Sequence, residues 1–284
     1  MICLKYKIIA FDLDGTMLDD EKNIPPENLD AMKRAAELGI ILVPATGRIY
    51  NGIPAALREL PFIRYCICMN GAWVGDVREK RTLYSAEIPA KRAVELFRFM
   101  DGLPVIYDCY QDDWGWMSRS MYEKVYEYVS DKKVAELTQR TRNQVDDLKA
   151  LLLERGRPVQ KMQMHFKDPA ARLEWLEKLP KLWPDISVTS SIASNIELNA
   201  AAANKGDALL ALCSALKVAP GDSIAFGDGT NDISMLRAAG VGVAMENAAP
   251  EVKAAADMLT GNNNAAGVAQ AIRRLVPEIG GDND

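Results

Sequence analysis

Short apolar runs that end abruptly in polar clusters alternate with stretches of helical spacing at both ends of the chain. Residues 6–11 form the first run, closed by Asp12-Leu13-Asp14-Gly15-Thr16. This is the profile of a strand buried on both faces and followed by a loop. Pro25-Pro26-Glu27 then opens a stretch with Leu29, Met32, Ala36 and Leu38 at helical spacing, closed by Gly39. Proline at the start and glycine past the end predict a helix. Residues 40–43 repeat the strand pattern, 55–60 the helical one, and 65–69 give a third strand. The order βαβαβ predicts a parallel sheet. The alternation returns later, with helices expected at 205–216, 232–239, 249–256 and 268–275 and strands at 223–226 and 241–245.

Between these ends the texture changes. Four of the five tryptophans fall here, with strand-like runs at 105–110 and 159–166 between amphipathic helices at 90–100, 146–154 and 170–179. The flanking halves complete each other, so the expected organisation is one discontinuous α/β core, 1–83 and 190–284, interrupted by an inserted α+β domain at 84–189. Neither internal repeats nor low-complexity tracts occur, and the polar tail 280–284 is expected to fray.

Composition narrows the function. A chain of 284 residues is long enough for about two domains and a core without staples. Its 34 Lys and Arg against 39 Asp and Glu give a net charge of −5, with 26% charged and 49% hydrophobic residues. Such a balance offers no basic surface for nucleic acid, so any anion must be held by a local site. Five scattered cysteines, Cys3, Cys66, Cys68, Cys109 and Cys213, predict free thiols in a reducing compartment. Cys66 and Cys68 lie in a strand-like run with no second ligand pair, which favours buried packing over zinc. With no signal peptide and no apolar stretch long enough for a membrane, a cytoplasmic protein is expected.

Four polar clusters fall where an open parallel sheet places its ligands, beyond the carboxyl ends of strands. Asp12 and Asp14 are the first. Read as an EF-hand loop they fail, because the sixth position would be Met17 and the twelfth Asn23. What remains is a capped turn, or two carboxylates at the mouth of a buried strand whose pKa values are pushed apart, one a nucleophile and the other an acid. In the second cluster, Thr46 offers a hydroxyl and Gly47 an exposed N–H beside Arg48. Lys205 in the third opens a helix, where a cation opposes the helix dipole unless an anion sits between them. In the fourth, Gly227-Asp228-Gly229-Thr230-Asn231-Asp232, two carboxylates four apart suit Mg²⁺ beside Asp12. Four carboxylates against one Mg²⁺ and Lys205 leave a net negative charge that would repel a phosphate, so Asp14 is expected to have a raised pKa and metal to be essential.

Together and in this order, the four clusters resemble the motifs of the haloacid dehalogenase superfamily. Asn70-Gly71-Ala72, Asn204-Lys205-Gly206 and Val243-Ala244-Met245-Glu246-Asn247-Ala248 are similar to its Cof-type phosphatases. The resemblance implies a Rossmann-like doubly wound core and hydrolysis of small phosphate esters, sugar phosphates foremost. Asp12 would form an aspartyl-phosphate while Asp14 acts as general acid and then base. It further implies Mg²⁺ held by Asp12, the Asp14 carbonyl and Asp228 with support from Asp232, and phosphoryl oxygens held by Thr46, Lys205 and Asn231, with Gly47 and Arg48 in the same substrate-binding turn. Only 30 positions separate Thr16 from Thr46 but 157 separate Arg48 from Lys205, so the insert corresponds to a type IIB cap, which closes over such sites. One departure is that Ala265 and Ala266 stand where the family has acidic residues before Gly267-Val268. Within the cap, Trp114 and Trp116 are expected on one strand face, flanked by Tyr110, with His165 a further candidate for substrate contact. A phosphomutase would need a basic cluster there, but Arg119, Arg140, Arg142 and Lys161 read as dispersed. A non-catalytic sugar-phosphate sensor would not need both motif carboxylates. The partner expected is a small phosphate ester, with no nucleic acid or membrane, and oligomeric state is not legible.

Overall fold

The computed structural model describes residues 4–280, so Cys3 and nearly all of the tail expected to fray lie outside the described residues. Contacts divide the chain into two compact units, residues 1–85 with 204–284, and residues 86–203. In chain order the first unit begins with β1 (Ile8–Phe11), β2 (Ile41–Pro44), β3 (Tyr65–Cys68), β4 (Trp73–Asp76) and β5 (Arg81–Ser85). The second holds β6 (Val105–Gln111), β7 (Trp114–Ser118), β8 (Arg142–Val145), β9 (Lys161–Phe166), β10 (Ile186–Thr189) and β11 (Asn195–Ala200). The first resumes with β12 (Ser223–Gly227), β13 (Val241–Ala244) and β14 (Met258–Leu259).

Strands β14, β13, β12, β1 and β2 form one sheet in that order, every pair parallel. Ile8 and Ala10 of β1 pack with Leu209, Leu212 and Met235 from the helices Lys205–Leu216 and Ile233–Ala238. Ile9 and Phe11 point to the opposite face and are fully buried as well. A strand covered on both faces has no polar position to spare, which is why these runs are continuously apolar. The third strand expected in this sheet departs from the reading. Single parallel bridges at Leu42–Ile63 and Ala45–Ile67 keep its segment beside β2, but β3 forms its ladder antiparallel with β4, and β4 with β5.

The second unit is built on a sheet ordered β10-β11-β9-β6-β7-β8, antiparallel except for β7 with β8. Its apolar face, with Tyr107, Cys109, Met162, Met164, Ile196 and Leu198, carries the helices Ala90–Met100, Leu148–Arg155 and Pro169–Leu182. The other face carries the polar rows Asp108–Gln163–Glu197 and Tyr110–Lys161, with Asn199 on the same face two residues beyond Glu197. The strand at 195–200, on the far side of the boundary expected at 190, is central to this sheet, so residues 190–203 belong with the second unit.

Candidate active site

The chain winds from β1 outward through β2 on one side and returns to place β12 on the other, so the strand order, not the strand direction, reverses between β1 and β12. Ligand crevices open at such a switch point. Asp12 follows β1 there, its N–H donating to the Phe226 carbonyl at 3.0 Å, and Asp228 follows β12. Gly15 turns the loop after Asp14 with φ +84°, and a Cβ there would lie 2.4 Å from Asp228 Oδ2. Next in sequence, Thr16 donates its hydroxyl to Asp228 Oδ1 at 2.7 Å.

Lys205, fully buried, is the hub of the cluster. Its Nζ donates to Asp12 Oδ1 at 2.6 Å and to Asp232 Oδ1 at 2.5 Å. Asp232 in turn accepts the backbone N–H groups of Asp228 and Gly229 on its Oδ2, at 3.0 and 2.9 Å. Carboxylate oxygens of Asp12, Asp228 and Asp232 all lie within 4.8 Å of one another. Burial pushes the Asp12 carboxyl from the ordinary 3.8 up to about 7, against the pull of Lys205 and with added repulsion from Asp232. Asp228 is pushed up to about 6, again chiefly by burial. Loss of hydration would lower the Lys205 ammonium, but Asp12 and Asp232 outweigh it and hold the ammonium above its usual range. Three crowded carboxylates with one cation are short of positive charge, and all offer hard oxygen donors, so the residues present fit a Mg²⁺ ion.

Asp14 departs from expectation. Its pKa is lowered, not raised, because burial is outweighed by two cations. Arg48 donates to it through Nε at 2.8 Å and Nη2 at 2.7 Å, and Lys22 Nζ lies 2.9 Å from its Oδ1. Charge counting over the carboxylates alone missed both partners. Arg48, expected among the substrate-binding residues, is here engaged with Asp14 and the Gly52 carbonyl.

Thr46 is buried at the end of β2, its Oγ1 accepting the Arg48 N–H at 3.2 Å. Asn231 Nδ2 donates to Asn70 Oδ1 at 3.1 Å. Asn70 and Lys22 were not among the expected site residues. Asn70 had a signal in the Asn70-Gly71-Ala72 run, whereas Lys22 had none, since only folding of its loop brings it back to Asp14. In the loop that holds Ala265 and Ala266, asparagines supply the contacts. Asn263 Nδ2 donates to the Leu18 carbonyl at 3.1 Å and to Asp20 Oδ1 at 3.0 Å, and Asn264 Nδ2 to Asp20 Oδ2 at 3.0 Å.

In the second unit, strand alternation separates residues read as one group. Trp116 packs with the apolar face, beneath the Arg155 guanidinium, while Tyr110 is on the polar face. Arg142 and Lys161 are not dispersed but flank the Tyr110 ring, 4.4 and 5.1 Å from its centroid. Each is matched by a carboxylate, Arg142 by Asp108 at 3.0 Å and Lys161 by Glu197 at 3.1 Å. His165 is buried with Nε2 3.3 Å from Asp108 Oδ2. The described cysteines are buried and free. No helix among the described residues is long and apolar enough to cross a membrane.

Residues 9–272 match the family model of the haloacid dehalogenase-like hydrolases. The chain is 30% identical to the 5-amino-6-(5-phospho-D-ribitylamino)uracil phosphatase YcsE of Bacillus subtilis, covering 95% of this chain and 96% of that one. With the pyridoxal phosphate phosphatase YbhA of Escherichia coli it shares 29% identity over 94% of this chain and 97% of the relative. In fold it is similar to the subclass IIB sugar phosphatase BT4131, with a TM-score of 0.78 at 22% identity over 94% of this chain and 98% of that one.

Proposed function

Given that this chain belongs to the haloacid dehalogenase-like hydrolases and is a Cof-type phosphatase with a type IIB cap, we propose a Mg²⁺-dependent hydrolase of small phosphate monoesters. The observation that carries this reading is the meeting of Asp12, Asp228, Asp232 and Lys205 at the switch point of the sheet. Asp12, Asp228 and the Asp14 carbonyl would hold the ion, with Asp232 behind them. When bound, Mg²⁺ supplies positive charge that offsets the carboxylates and the arriving phosphoryl group.

Asp12 attacks phosphorus through one carboxylate oxygen. The ester P–O bond breaks, and the leaving oxygen takes a proton from the Asp14 carboxyl, leaving an aspartyl-phosphate on Asp12. Asp14, now a carboxylate, takes a proton from water, which attacks phosphorus and releases inorganic phosphate from Asp12. Paired with Arg48 and Lys22, Asp14 is in its base form, ready for the second half-reaction. Its acid form in the first requires the carboxyl to withdraw from those cations. Thr46, the Gly47 N–H, Lys205 and Asn231 are assigned to the phosphoryl oxygens, where positioning and charge dominate.

Sugar phosphates are the class we propose first. The support is the 30% identity with a phosphatase whose named substrate carries its phosphate on a ribityl chain, a hydroxyl-rich leaving group. Because Arg142 and Lys161 are each matched by a carboxylate, no cation cluster supports the second phosphate of a mutase.

The test is hydrolysis of p-nitrophenyl phosphate and a panel of sugar phosphates, with pyridoxal phosphate included, by wild type and Asp12→Asn. Wild type is expected to need Mg²⁺, and Asp12→Asn to lose at least about a thousandfold in kcat with its fold intact. Full activity in EDTA, or an active Asp12→Asn, overturns the reading.

A further inference from the structure

Three successive residues after β3 have left-handed backbone, Met69 at φ +53°, Asn70 at +58° and Gly71 at +97°. Only the last is glycine, so the segment is held against its own preference, and such strain persists where the surroundings over-determine it. The surroundings here are three of the four site clusters. Met69 N–H donates to the Arg48 carbonyl at 3.0 Å and Asn70 N–H to the Thr46 carbonyl at 3.1 Å, pinning the turn to the segment after β2. Gly71 lies against the start of the helix Lys205–Leu216, where a Cβ would come within 2.2 Å of the Asn204 carbonyl and 3.0 Å of the Lys205 nitrogen. The buried Asn70 side chain accepts from Asn231. It also fills the space beside Gly47, where a Cβ would meet Asn70 Oδ1 at 2.8 Å.

We infer that Asn70 is a positioning residue for phosphoryl binding, acting through Asn231 and the Thr46-Gly47 turn. The chemistry is that of a primary amide with two N–H donors and one oxygen. By accepting one N–H of Asn231, the Asn70 oxygen fixes which way that carboxamide faces. The second N–H of the same group is then the donor turned to a phosphoryl oxygen. Without Asn70 the Asn231 amide is able to rotate, and its oxygen repels the anion as readily as its nitrogen attracts it. The inference rests on the phosphatase reading and its assignment of Asn231.

Inorganic phosphate as competitive inhibitor of p-nitrophenyl phosphate hydrolysis is the probe. Asn70→Gly keeps the left-handed backbone and deletes the amide. Its inhibition constant is expected to rise about tenfold, as for loss of one hydrogen bond to a charged group. The ratio of kcat/KM for p-nitrophenyl phosphate to that for an alkyl phosphate is expected to stay unchanged, since the leaving group is not touched. Asn231→Ala is expected to lose a similar factor alone and less than twofold more when added to Asn70→Gly, because the second change removes an amide already released. In Asn70→Asp, which keeps the acceptor oxygen and tolerates left-handed backbone, Asn231→Ala is expected to cost as much as in wild type. If Asn70→Gly does not fold, Asn70→Asp carries the test, since an Asn231→Ala that costs nothing in wild type or in Asn70→Asp overturns the inference. Losses that multiply in the Asn70→Gly double variant, or an Asn70→Gly that binds phosphate like wild type, overturn the inference while leaving the phosphatase reading standing. A wild type that hydrolyses no phosphate ester overturns the reading itself.

Discussion

At the scale of single residues, the site is a problem of charge balance solved by one buried lysine. Lys205 is the cation in direct contact with Asp12 and Asp232, and it has no exposure to solvent. Replacing it by methionine keeps the stem but leaves two carboxylates buried and uncompensated, a loss of about 3 kcal/mol or more at pH 7. Without Lys205 the Asp12 carboxyl, about 7 in its presence, rises further, so the deficit is expected to shrink at pH 5, where Asp12 is protonated in the wild type as well and less of the ion pair is there to lose. Urea unfolding of Lys205→Met and wild type in EDTA at both pH values checks this, and a loss independent of pH would show that packing, not charge, is what Lys205 supplies. The sequence made this lysine legible because a cation at a helix N-terminus is electrostatically misplaced without anions. Asp14 was misread for the complementary reason. Its partners, Arg48 and Lys22, are brought to it by loops whose paths no periodicity specifies.

Elements were legible where their burial is written in residue type. Strands β1, β2 and β12, covered on both faces, are plain apolar runs, and the helices Pro26–Glu37 and Lys205–Leu216 carry end signals in proline, glycine or a capping Asn204. Strand β11 was missed although Asn195-Ile196-Glu197-Leu198-Asn199 alternates cleanly. Its polar residues are poor strand formers, yet here they are buried and hydrogen-bonded. The domain boundary slipped with it. Loops between elements depend on single polar side chains, and Asn263 is the clearest case. Buried ahead of the helix Gly267–Leu275, it bonds Leu18 and Asp20 through its side chain and Asn247 through its N–H. Asn263→Ala leaves the buried Leu18 carbonyl without this donor, and a cost of about 1–3 kcal/mol is expected in thermal or urea unfolding. The same change at exposed Asn264 is expected to cost under about 1 kcal/mol, and equal effects would deny Asn263 its role as the strap.

For the molecule as a whole, a net charge of −5 with several carboxylates gathered at one crevice ties stability to pH and to metal. Asp12 and Asp228 have folded-state pKa values of about 7 and about 6, raised from 3.8 chiefly by burial. A raised carboxyl binds protons in the native state that the unfolded chain has already released. Its contribution is therefore complete below about pH 4 and is lost as pH rises through the folded value. Asp14 and Asp108, both lowered, act the other way, but theirs is gained as pH climbs through the ordinary carboxylate range and is complete by about pH 5. Of these four groups, only the first pair titrates between about pH 5 and 7.5. In EDTA the melting midpoint is expected to fall across that window by several degrees, for a free-energy change of order a few kcal/mol in a chain this long. Mg²⁺ binds ionised carboxylates, so its stabilisation is expected to grow with pH over the same window and to cancel most of the fall. Asp12→Asn removes the largest of these titrations and is expected to flatten the EDTA profile. Scanning calorimetry with and without Mg²⁺ decides. A midpoint in EDTA that rises from pH 5 to 7.5, or a Mg²⁺ increment that is the same at both ends, would mean that the crowded carboxylates are neutralised by something other than protons and metal.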